Sequence, residues 1–98
     1  MFPRVPLAQI ESVLKLDRRV VTKIFEVATE AVEMYGIPPG FSDKIETVYE
    51  VVRMILTGAY RSLPDLAYDQ LFDICRYTVH RLVFDHGIDV TRYWYRHR

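Results

Sequence analysis

The run from Pro64 to His86, PDLAYDQLFDICRYTVHRLVFDH, constrains the fold more than any other part of the sequence. Its polar residues Asp65, Asp69, Asp73, Arg76 and His80 recur every three or four positions and form one narrow stripe on a helix. The rest of the circumference is apolar: Leu66, Leu71, Phe72, Ile74, Cys75, Val79, Leu82, Val83 and Phe84. A helix apolar outside a single stripe needs neighbours on several sides, so the pattern predicts a central helix over 64–86. Asp65 and Asp69 near its start and Arg76, His80 and Arg81 nearer its end complement the helix macrodipole. Gly87 stands where a left-handed cap would close it.

The remaining segments read as helices around it. Pro3 and Pro6 keep the opening MFPRVP out of a helix interior, and Pro6 suits a first helical position. Leu7, Ile10, Val13 and Leu14 then mark a short amphipathic helix as far as Lys15. Asp17 is a good N-cap for a second helix from Arg18 to about Tyr35, with Val20, Val21, Ile24, Val27, Ala28, Ala31 and Val32 on its inner face. Gly36 and the stiff Ile37-Pro38-Pro39-Gly40 end it. A third helix over 43–61 starts at Ser42 or Asp43, has Glu46 in its first turn, and turns Ile45, Val48, Val51, Val52, Ile55, Leu56 and Ala59 inward. Asp89 caps a short C-terminal helix over 89–96. The expected architecture is an all-α, compact bundle of four main helices plus a short C-terminal helix, spanning 1–98 as a single helical domain.

A chain of 98 residues has room for one core. At 50% hydrophobic and 13% aromatic it is far from the composition of a disordered tail. No apolar run approaches the roughly 20 residues that cross a bilayer, and the N-terminus lacks the pattern of a secretory signal. The lone Cys75 rules out an intrachain disulfide and points to a reducing, cytoplasmic setting, with Cys75 as core filler. The formal net charge of +0 argues against a generically basic nucleic-acid binder. The charges are nonetheless segregated. Residues 1–25 hold five basic and two acidic side chains, 26–86 five and ten, and 87–98 three and one, so both ends are basic and the body acidic.

The segment LAQIESVLKLDRRVVTKI, Leu7 to Ile24, resembles a helix-turn-helix DNA-binding unit. Ile10, Leu14, Leu16, Val21 and Ile24 stand where that motif packs its two helices, and Asp17 where it caps the recognition helix. Glu11 and Lys15 depart from the small residue and the turn glycine common at those places. The resemblance implies that Arg18, Arg19, Thr22 and Lys23 meet the major groove and its flanking phosphates, with Arg92 and Arg96 as accessory contacts. The second helix also carries Arg18, Arg19 and Lys23 toward its N-terminus and Glu26, Glu30 and Glu33 toward its C-terminus, against its macrodipole. A docked phosphate backbone would offset that order. The bland reading pairs the arginines with acids of the body.

Three further patterns compete. The C-terminal VTRYWYRHR interleaves Tyr93, Trp94 and Tyr95 with arginines, which fits a partner-protein anchor, a single-strand stacking platform, or a plug at the open end of the bundle. Arg81 and His86, separated by four residues at a helix end, resemble the signature of HEPN-type ribonucleases, helical bundles that dimerise. There the arginine would hold the scissile phosphate and the histidine assist proton transfer, though Leu82 replaces the polar residue common after the arginine. Glu26, Glu30 and Glu33 resemble the acid-lined helices of MazG-like pyrophosphohydrolases, which also need inward acids from a second helix. Glu46 and Glu50 read as outward-facing, which leaves the three glutamates as a solvated face. Cys75, His80 and His86 match no zinc spacing. The sequence thus points to a non-enzymatic regulatory or binding module with no cofactor or metal. DNA is the leading partner, a protein partner the alternative, and a homodimer is also expected.

Overall fold

The computed structural model describes residues 17–63 and 65–94, with the backbone alone at 65–68. Among these residues the chain is all-helical: α1 spans Arg18–Tyr35, α2 Lys44–Thr57 and α3 Asp65–His86, with 3₁₀ turns at Ala59–Ser62 and Val90–Tyr93. The expected first helix, 7–15, lies outside the described residues. The expected C-terminal helix is a single 3₁₀ turn instead. Asp89 does cap it, accepting from the Thr91 N–H at 3.1 Å, but a turn this short adds no fifth helix to the bundle.

Local chemistry sets the helix ends. The Asp17 carboxylate accepts the Arg19 N–H at 2.8 Å, and the Gly36 N–H closes the far end of α1 on the Val32 carbonyl at 2.8 Å. Asp43 does the same for α2 through the Glu46 N–H at 2.7 Å. That helix ends at Thr57, not near Arg61. Gly58 takes φ +73°, a left-handed geometry that terminates α2, and the ring of Trp94 lies where a Cβ would sit. Gly87, at φ +66°, closes α3 as its position in the sequence implied.

α1 runs antiparallel to both other helices. Lys44 pairs with Glu33 and Tyr49 lies against Phe25, which fixes α2 against α1. Gln70 donates to the Tyr35 and Gly36 carbonyls at 2.7 and 3.0 Å, and further along α3 Arg81 pairs with Glu30. The core between them holds Ile24, Val27, Ala28 and Ala31 of α1, Val51, Val52, Ile55 and Leu56 of α2, and Leu71, Ile74, Cys75 and Leu82 of α3.

The central helix is α2, which corrects the expectation from 64–86. Every residue from Glu50 to Leu56 is buried, on all sides of the helix. The second 3₁₀ turn completes the enclosure: Val90 is fully buried and Trp94 packs on Gly58. By contrast α3 outruns its neighbours, leaving Val83 and Phe84 exposed, with Phe84 lying 4.5 Å, ring to ring, from His80. Two α2 positions also differ from the sequence reading. Ile45, in the first turn of α2, faces solvent beside the exposed Tyr49 one turn on. Glu50, read as outward, is buried and pairs with Arg53, whose Nε donates to its Oε1 at 3.2 Å.

Candidate nucleic-acid interface

The first turn of α1 holds no acidic residue and presents Arg18, Arg19 and Thr22 to solvent. Val21 and Ile24 point into the core, which fixes the helix so that these side chains face outward. Arg18 makes no ion pair among the described residues. Arg19 is 93% exposed and lies 3.5 Å from Asp17. The Arg19 backbone N–H on its carboxylate holds Asp17 below the usual carboxylate range. Thr22 donates its hydroxyl to the Arg18 carbonyl at 2.9 Å, and Lys23 reaches Glu26 at 2.8 Å. That hydrogen bond lowers the Glu26 carboxyl as well.

The acids that oppose the α1 macrodipole are engaged locally or across helices. Glu26 holds Lys23, Glu30 holds Arg81 of α3, and Glu33 holds Lys44 of α2. The last two fasten the second half of α1 to its neighbours. Among the described residues the basic first turn has no such cross-helix partner, and Arg19 pairs with Asp17.

Arg92 belongs to the second 3₁₀ turn and is exposed. Because Lys44 lies near Glu33 and Tyr49 near Phe25, the far end of α2 points toward the start of α1. Trp94 sits on Gly58 at that far end, so the described part of the basic C-terminus lies at the end of the bundle where α1 begins. Arg96 and Tyr95 lie outside the described residues.

Several residues of the competing patterns make packing or ion-pair contacts. Trp94 is held by the Arg61 guanidinium 4.2 Å from its ring and by Tyr60 edge-on at 6.2 Å, and its Nε1 is buried without a hydrogen-bond partner. Tyr93 is half-buried against the same core. Both rings pack, partly buried, against the core. Arg81 is clamped between Asp85, at 2.9 Å, and Glu30, and these bonds hold its guanidinium firmly charged and Asp85 below the usual carboxylate range. His86, at the exposed end of α3, faces no such clamp.

Sequence reasoning missed the Glu50–Arg53 pair. Arg53 was not singled out, and spacing alone places Glu50 on the solvent side. Cys75 of α3 lies in the field of this pair, and burial pushes its thiol far up. Among the described residues no group of three or more His, Cys, Asp or Glu side chains could hold a metal ion. No helix among them is long and apolar enough to cross a membrane. Comparison with known proteins found no matching family model, no matching curated protein and no matching solved structure.

Proposed function

We propose that this protein is a small non-enzymatic binding module that docks a duplex nucleic acid, DNA in the first instance, on the first turn of α1. The observation that carries this reading is the outward cluster of Arg18, Arg19 and Thr22 at a helix N-terminus, with no cross-helix partner among the described residues and the exposed Arg92 at the same end of the bundle. Cationic side chains converge there at a helix N-terminus, which is the chemistry a phosphate backbone meets. In this reading Lys23 exchanges Glu26 for a phosphate, and Arg92 and Arg96 add flanking contacts. The helix-turn-helix form of the proposal needs a supporting helix before the turn, the segment 7–15, giving a fourth main helix. A cytoplasmic site of action fits the lone, reduced Cys75.

The test is fluorescence anisotropy with a labelled random duplex across a series of salt concentrations. Binding should weaken steeply with salt, with a log–log slope of about −0.9 for each phosphate contacted. Arg18→Glu together with Arg19→Glu should abolish it while the helical circular-dichroism spectrum is unchanged. Absence of binding at low salt rejects the reading.

A further inference from the structure

The charges of α1 run in an order that its own macrodipole opposes: Arg18, Arg19 and Lys23 in the first half, Glu26, Glu30 and Glu33 in the second. Beside the midpoint of this face the surface is apolar. Tyr49 of α2 lies 5.1 Å from Phe25, ring to ring, and is 53% exposed. Ile45, one turn earlier on α2, is 71% exposed. A basic half, an aromatic centre and a half bearing Glu30 and Glu33, each with a cation of a neighbouring helix beside it, therefore follow one another along one side of the bundle. Such an arrangement is self-complementary about a two-fold axis through its middle, since turning one copy end for end lays its basic half on the acidic half of the other.

We propose that a second copy of this chain docks on this face, α1 against α1 and antiparallel, with Phe25 and Tyr49 near the axis. Arg19 and Glu33 lie equally far on either side of Glu26, so each Arg19 faces the Glu33 of the other copy, whose exposed carboxylate then bridges that arginine and its own Lys44. The two Glu26 side chains approach near the axis, each already paired with its own Lys23 at 2.8 Å. Antiparallel apposition also brings the N-terminus of each α1 to the C-terminus of the other, so the charge order that is unfavourable in one chain becomes favourable in two. Aromatic side chains at the centre with charges at the rim are the usual anatomy of a specific interface. Charge complementarity selects a copy of the same chain over an unrelated partner. The inference does not rest on duplex binding, although the two would compete for Arg19.

Sedimentation of the full chain over a concentration series, without nucleic acid, tests it. The unaltered chain should dimerise. Arg19→Glu and Glu33→Arg should each weaken the dimer by about tenfold or more, because each places like charges opposite one another twice. The double variant, or an equimolar mixture of the two single variants, should recover it. Ile45→Glu, at an exposed position, should abolish the dimer while the circular-dichroism spectrum stays that of the folded chain. Glu33→Arg should leave duplex binding undiminished, which separates this face from the nucleic-acid reading. A chain that stays monomeric throughout, a dimer indifferent to both reversals, or a double variant that fails to recover would each overturn the proposal.

Discussion

The Glu50–Arg53 pair gives a decisive test of how the interior is built. Both side chains are about nine-tenths buried, at 10% and 9% exposure, and both Nε and Nη2 of Arg53 converge on the single oxygen Oε1. On a solvent-facing helix an i,i+3 pair of this kind contributes only about 0.2–0.5 kcal/mol. Inside a bundle the reckoning differs, because each ion has lost its water. Arg53→Met should strand the Glu50 carboxylate and cost about 3–5 kcal/mol, while Glu50→Leu should strand the guanidinium at similar cost. Replacing both at once removes the charges together. The double variant should therefore match the unaltered chain or exceed it by about 1–4 kcal/mol. Urea denaturation, read through the midpoint and slope for all four chains, measures the cycle, provided that the slope is constant across the set. Single variants that cost under about 1 kcal/mol would show that the pair is solvated like a surface pair. A double variant that costs the sum of the singles would show that packing, not stranded charge, governs the site.

Other consequences follow from the same geometry. Gly58→Ala forces a Cβ into left-handed backbone 3.0 Å from the Trp94 ring and should cost about 1–3 kcal/mol, with a matching change in tryptophan fluorescence. Cys75 should react with a thiol reagent only as fast as the whole chain opens, and its modification rate should track denaturant unfolding. Its raised thiol value also means that the unfolded chain loses this proton more readily. Stability should therefore fall as pH climbs past the ordinary thiol value of 9.0, and less so in Cys75→Ala. Asp17, Glu26, Asp85 and Asp89 are all held below their ordinary values of 3.8 or 4.5. The folded chain then binds fewer protons than the unfolded one in that range. Their contribution is complete above those values and is lost as pH falls below them, visible as a lower melting temperature in acid.

Much of α1 is legible in its sequence because the signals are local: Asp17 at the cap, Gly36 after the end, and apolar residues at helical spacing between them. The start of α2 at Asp43 and the end of α3 at Gly87 are readable for the same reason. The centre of the fold is not. Periodicity reports how one helix divides its own surface, and Glu50 and Arg53 interrupt the apolar run of α2 just where it is most enclosed. What encloses that stretch includes Val90 and Trp94, far along the chain, and no local rule connects them to it. The stripe on 64–86 misled in the opposite direction, since Val83 and Phe84 are apolar yet uncovered. For the candidate interface, the residue types in the first turn of α1 were readable, but their lack of cross-helix pairs among the described residues was not. The cations of the neighbouring helices, Lys44 and Arg81, settle on the acids of the second half of α1.

The enclosure of α2 also sets a hierarchy of motion. A helix wrapped by segments that precede and follow it in the chain cannot fray alone, because exposing it requires α1, α3 and the second 3₁₀ turn to leave together. The amide hydrogens of Val51 to Leu56 should accordingly exchange with solvent only when the whole domain opens, and their protection should equal the global stability. The last turn of α3, with Val83 and Phe84 facing water, should exchange through small local openings long before that.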